Sequence, residues 1–187
     1  MRINTTTTIQ SRAIISGFIL TSLIVLLSTT QLTTTSLLPQ QANAQLSTTD
    51  LSSIASRIHE LVNQARQQNG LSALSWNSNL ERIAFAHSQD NANTGSSSHR
   101  GSDGSTEETR IKSVQGSNIW WGENISWMSS STNTESIAQQ TFNGWYNEQP
   151  PNDIHRRNIL NSNFNMEGIG VAQGGDGRIY ITQDFSS

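Results

Sequence analysis

The stretch Met166-Glu167-Gly168-Ile169-Gly170-Val171-Ala172-Gln173-Gly174-Gly175-Asp176-Gly177-Arg178-Ile179-Tyr180-Ile181-Thr182-Gln183-Asp184-Phe185 decides the fold class. Its two ends are rich in β-branched and aromatic residues, which fit a pleated, half-buried surface. The link Gln173–Gly177 is glycine-rich and reads as a hairpin turn. Two antiparallel strands therefore lie at the C-terminal end of the chain.

Helical patterning takes over toward the N-terminus. Leu51, Ile54, Ala55, Ile58, Leu61, Val62 and Ala65 fall at helical spacing, which predicts a helix from Leu51 to about Asn69, capped by Asp50 and stopped by Gly70. Ser78 with Glu81 forms a capping-box pattern opening a second helix, with Leu80, Ile83, Ala84 and His87 on one face and an end near Gly95. Ser105 with Glu108 opens a third, with Ile111 and Val114 inward and Gly116 closing it. A fourth runs from about Thr134 to Trp145 and must stop before Pro150-Pro151. Between the third and fourth, Asn118–Trp127 is aromatic and β-branched and reads as a strand, with a bulge expected at Gly122. Helices and antiparallel strands sharing one core give an α+β domain.

The first 44 residues carry a different message. Arg2 and Arg12 precede the apolar run Ala13–Leu27, and a Ser/Thr-rich stretch closes on Ala42-Asn43-Ala44, the layout of a secretory leader cleaved before Gln45. The alternative is an uncleaved N-terminal anchor at the outer cell surface. Residues 45–187 make one domain of ordinary size, expected to be monomeric. Cysteine is absent, which excludes thiol catalysis and a Cys-ligated metal. Without Arg2 and Arg12, 9 of the 11 basic residues remain against 14 acidic ones, a formal charge of −5. Such a domain lacks the basic footprint of a nucleic-acid binder.

Four residues carry the chemistry: His99 in Ser98-His99-Arg100-Gly101-Ser102-Asp103-Gly104, Glu123 in Gly122-Glu123-Asn124-Ile125, Glu148 in Trp145-Tyr146-Asn147-Glu148, and His155 in His155-Arg156-Arg157-Asn158-Ile159-Leu160. Two imidazoles and two carboxylates suffice for one divalent cation or for acid and base chemistry. These pieces, with Val62-Asn63-Gln64-Ala65-Arg66 and Leu74-Ser75-Trp76 before them, resemble in order and context the CAP superfamily (SCP domain) of secreted proteins, over roughly residues 52–185. The resemblance implies a three-layer α/β/α sandwich with a central antiparallel sheet. It also implies a cavity tetrad on His99, Glu123, Glu148 and His155.

Imidazole donors suit zinc better than Ca²⁺ or Mg²⁺, so Zn²⁺ is the expected ion, with another divalent cation as the alternative. The bland alternative is four polar groups satisfying one another. Two carboxylates in one cavity are also expected to repel each other in the absence of a cation. The expected function is a secreted, extracellular binding module contacting a lipid or other apolar ligand, an envelope component or a protein partner. The alternative is a metal-dependent hydrolase with Glu123 or Glu148 as catalytic base, although neither His-Glu-x-x-His nor Gly-x-Ser-x-Gly is present.

Other residues receive plainer readings. His87 is expected at the core or cavity edge, His59 as a solvated helix residue, and Arg156-Arg157 as a solvated pair or a brace for carboxylates. Trp120, Trp121 and Trp127 are expected to pack between the layers rather than form an exposed platform. Asn124, although in a glycosylation sequon, is expected to be buried.

Overall fold

The hairpin forms as β3 (Met166–Gln173) and β4 (Arg178–Ser186), paired antiparallel from Met166↔Ser186 to Gln173↔Ile179. The computed structural model describes residues 45–187 apart from Thr132, and the leader lies outside the described residues. On the far side of β4, β2 (Trp121–Ser129) pairs antiparallel without interruption. No bulge occurs at Gly122; a Cβ there would stand 3.0 Å from the Phe164 ring, so glycine admits a close neighbour instead. A two-residue strand, β1 (Ser75–Trp76), joins β3 in parallel and completes the order β1-β3-β4-β2.

Alternation assigns the two faces of this sheet. Ile169, Val171, Ile179, Ile181 and Phe185 point to one side. There they meet Ile54, Ile58 and Val62 of α1 (Thr48–Gln68) and Ile137, Phe142 and Trp145 of α4 (Thr134–Tyr146). Each fully buried Ile or Val side chain contributes about 1.5–3 kcal/mol, which makes this the main source of stability. The opposite face receives α2 (Ser78–Thr94) and α3 (Glu107–Gln115). A Cβ on Gly168 would fall 2.1 Å from the backbone nitrogen of Glu81, and one on Gly170 2.0 Å from that of Phe85. The α2 backbone therefore lies directly on β3. Helices on both faces make the α/β/α sandwich.

Caps differ in detail from the sequence pattern. Ser47, with Asp50 at N3, forms the capping box of α1. Asn77 caps α2 by accepting from Asn79 N and Leu80 N, while Glu81 accepts from the Trp76 indole. Thr106 and Thr109 cap α3. A short helix, α5 (Ile154–Ile159), was not foreseen, because six residues give too little periodicity to read.

Arg66 ties this half together. Buried near the end of α1, it donates to the carbonyls of Ser72 (2.8 Å), Ile159 (2.8 Å), Asn161 (3.0 Å) and Phe164 (3.2 Å). One guanidinium thus closes the chain entering β1 and the chain leaving α5. Among the described residues no helix is long and apolar enough to cross a membrane.

Candidate functional site: two imidazole–carboxylate pairs

Glu123 and Asn124 are consecutive in β2, so their side chains emerge on opposite faces of the sheet. Glu123 enters the α2/α3 side, where its carboxylate is fully buried. Its Oε1 accepts from His99 Nδ1 at 2.6 Å and its Oε2 from Arg110 Nη2 at 2.7 Å. Arg110, on α3, also donates to the His99 carbonyl. The loop carrying His99 is held from beneath: His87 Nε2 and Asn91 Nδ2 both donate to Ser98 O, and Asp90 accepts from the Ser102 amide and hydroxyl. His87 is buried, as its place on the apolar face of α2 predicts.

Asn124 points the other way and donates to the His155 carbonyl at 3.3 Å. His155 is the second residue of α5, and Glu148 reaches it from the segment after α4. Glu148 Oε2 accepts from the His155 amide at 2.9 Å, and Oε1 from His155 Nδ1 at 2.5 Å. Asp153, at the N-cap, makes no side-chain capping bond. Glu148 does that work, taking one of the free amides of the first turn.

The four sequence-predicted residues thus come together as two pairs of the same form, each glutamate facing its own imidazole. A carboxylate accepts only, so each Nδ1 carries the proton and Nε2 is the nitrogen left to bind something else. Among the described residues, no three His, Asp or Glu side chains gather closely enough to hold a metal ion. Each imidazole Nε2 is a nitrogen donor of the kind that suits a transition-metal cation, and each ring is oriented by its glutamate.

Burial and charge act together on the His99–Glu123 pair. The bond to Glu123 raises the His99 pKa above its ordinary value, against the opposing effect of burial. For Glu123 burial works to raise the pKa, but His99 and Arg110 outweigh it and hold the carboxyl below its usual range. Burial lowers the pKa of His87, keeping that imidazole neutral.

Asp184, the cross-strand partner of Glu123, is wholly buried and neither of its oxygens meets a donor. Burial, and then the Glu123 charge, push its pKa well above the ordinary value. A proton on Asp184 turns the contact with Glu123 into a hydrogen bond. Because the folded pKa is raised, the stability Asp184 contributes is fully present below its unfolded value near 3.8 and is lost as pH rises toward the folded value. Asp184→Asn is therefore expected to raise the melting temperature at neutral pH by several degrees, with the gain closing near pH 4. Thermal unfolding of both proteins at the two pH values checks it, and a lower melting temperature for the variant at neutral pH would contradict it.

Sequence reasoning missed Arg110 and Asp184. Arg110 sits beside the inward Ile111 on a short polar helix, where spacing does not mark it. Asp184 shares its face with Tyr180 and Thr182, and an acid in a strand covered on both sides was the available signal. His59 is not simply solvated: Glu167 is buried beneath α1 and accepts from His59 Nδ1. The tryptophans divide. Trp121 packs against the cluster of Leu80, Ile83 and Ile111, whereas Trp120 is 62% exposed and Trp127 46% exposed with Arg178 over its ring. β2 is an edge strand, and among the described residues Trp127, and Trp120 just before it, are left partly open to solvent rather than packed between layers. Asn124 is buried, as expected. Arg157 pairs with Asp153 while staying largely solvated, and Arg156 lies over the Tyr146 ring rather than against a carboxylate.

Residues 59–185 match the model of the cysteine-rich secretory protein family, CAP. Among curated proteins, the uncharacterized protein YkwD of Bacillus subtilis is 30% identical over 125 residues, covering 67% of this chain and 45% of YkwD. The uncharacterized membrane protein YlbC of the same organism is 28% identical over 129 residues, covering 69% of this chain and 33% of YlbC. The chain thus spans less than half the length of these relatives. Among solved structures, an extracellular SCP-domain protein of Bacillus anthracis aligns with a TM-score of 0.60 at 25% identity, over 76% of this chain and 44% of that one. An outer surface protein of Borrelia burgdorferi aligns with a TM-score of 0.60 at 16% identity, over 72% and 92%. With the sandwich, the ordered motifs and this match over most of its length, the chain belongs to the cysteine-rich secretory protein (CAP) family.

Proposed function

We propose that this protein is an extracellular binding module in which His99 and His155, each oriented by its own glutamate, take up a divalent cation, zinc first. The same domain holds an apolar ligand, an envelope component or a protein partner. The observation that carries the reading is the repeated bond from imidazole Nδ1 to Glu123 and to Glu148. A carboxylate at Nδ1 fixes the tautomer of a metal-binding histidine and raises the basicity of Nε2. A bound zinc would supply Lewis acidity, and the glutamates would hold the Nδ1 protons. Leader-like residues 1–44 and the extracellular Bacillus anthracis relative support placement outside the cell. A groove of about 370 Å³, bordered by Leu51, Phe85, Ile169 and Val171 but also by Ser52, Glu81 and Gln89, has the size of a site for a small ligand with an apolar part.

Zinc titration by calorimetry tests the cation reading. The wild type is expected to bind zinc at neutral pH and to lose affinity as pH falls, because zinc must displace the proton that Glu123 helps His99 retain. A His99→Ala, His155→Ala double variant is expected not to bind. Equal affinity in the two proteins would remove the cation site and leave two hydrogen-bonded pairs. Zinc-dependent turnover of peptide or ester substrates, lost in a folded Glu123→Ala variant, would replace the binding module with a hydrolase.

A further inference from the structure

A line of buried polar side chains crosses the sheet on its α1/α4 face, where an apolar lining would serve packing equally well. Glu167 on β3, Gln183 on β4 and Asn124 on β2 are each fully buried. Glu167 Oε1 accepts from His59 Nδ1 at 2.5 Å, and its Oε2 accepts from Gln183 Nε2 at 2.5 Å. Gln183 Oε1 accepts from Asn124 Nδ2 at 3.1 Å. The Asn124 amide also donates to the His155 carbonyl, and its Oδ1 accepts from Asn158 Nδ2 at 2.9 Å. Asn158 in turn donates to the Glu123 carbonyl.

This string has a direction. An amide side chain can be turned either way, but a carboxylate only accepts. Glu167 therefore forces Gln183 to present its NH₂ to β3 and its oxygen to β2. That oxygen forces Asn124 to present its own NH₂, which is the group that reaches His155 O. Asn158, donating to Asn124 Oδ1, locks the same orientation from the far end. The polarity set by one buried carboxylate beside α1 is thus passed over three strands to the first turn of α5.

We propose that Glu167 and Gln183 are positioning residues for His155: through Asn124 they fix the main chain that presents its imidazole to Glu148. The proposal rests on the reading of His155 as a ligand-binding imidazole for its functional weight, but its test does not. α5 is only six residues long and lacks a side-chain N-cap from Asp153, so its start depends on Glu148 and on Asn124. The Glu123 carboxylate is held by Arg110 and His99 and takes no bond from Glu167, Gln183 or Asn124; the string meets Glu123 only at its carbonyl, through Asn158.

The experiment follows the Nδ1 protons of His99 and His155 by NMR at one fixed pH, through their exchange with water, in the zinc-free protein. Gln183→Met keeps the volume and breaks the string. It is expected to speed exchange of the His155 Nδ1 proton about tenfold, as loss of one buried hydrogen bond does, while leaving His99 unchanged. Glu167→Gln, which lets the amides reverse, is expected to act in the same direction. Ile169→Val, a core truncation on the same face, serves as the control: it lowers the melting temperature without separating the two histidines. Should Gln183→Met fail to fold, Glu167→Gln alone carries the expectation. An unchanged His155, or equal acceleration at both histidines, would overturn the proposal. Zinc affinity measured on the same variants is a separate readout, so loss of zinc binding in the wild type would sink the cation reading and leave the positioning result standing.

Discussion

Gly170→Val is expected to abolish folding. A Cβ on Gly170 would lie 2.0 Å from Phe85 N and 2.3 Å from Ala84 C. Both obstacles are backbone in the middle of a helix, so no rotamer change relieves them. The helix would have to lift off β3, separating Leu80, Ile83 and Ala84 from the sheet and breaking the Ser88 bonds to Gly170 O and Thr182 Oγ1. We expect a loss of more than about 4 kcal/mol, against the roughly 5–15 kcal/mol that a domain of this size commonly has. Denaturant unfolding and far-UV circular dichroism read the outcome. Gly144→Ala is the contrasting case: a Cβ there meets nothing within 4 Å on an α4 position, so it should raise stability by about 0.5–1 kcal/mol through helix propensity. A native-like Gly170→Val protein would mean that α2 does not rest on the β3 backbone.

Arg66→Met is the second large effect. The substitution keeps much of the volume but leaves the carbonyls of Ser72, Ile159, Asn161 and Phe164 without their donor. Burial lowers the Arg66 pKa, opposed by the charge of Glu167. Removing the cation therefore also strips a buried carboxylate of a counter-charge. Breaking such a site from one side costs about 3–5 kcal/mol, or about 10 °C in melting temperature for a domain of this length. Arg66→Lys should recover little, because an ammonium cannot span carbonyls that a planar fork reaches in several directions. Thermal unfolding of both variants checks this, and a shift below about 1 kcal/mol for Arg66→Met would show that water satisfies those carbonyls.

Periodicity made the long elements legible. Ile54, Ile58 and Val62 mark α1, and the alternation through Ile179, Ile181 and Phe185 marks β4, because burial on one face imposes a repeat. Capping was less legible. Ser47, Asn77 and Thr106 each sit near another plausible cap, and only the chain path selects among them. Family order pointed to His99, Glu123, Glu148 and His155 but not to their division into two pairs. That division follows from Glu123 and Asn124 being neighbours in one strand, a register fact that motifs read separately do not contain. Arg110, Asp184 and Glu167 act through partners distant in sequence, where local patterning carries no information.

The sheet order has a consequence for how the molecule comes into being. β4, the last strand of the described chain, is central, and both β2 and β3 take their antiparallel partner from it. A nascent chain that has not yet released residues 178–186 can build its helices but has only the two-residue β1–β3 pairing, and none of the antiparallel ladder, on which to lay them. Contacts such as Ser88 with Gly170 and Thr182, 82 and 94 residues apart in sequence, place most of the loop-closure cost in that final step. Folding during synthesis should therefore be all-or-none, and truncation within β4 should yield an unfolded polypeptide rather than a slightly smaller domain.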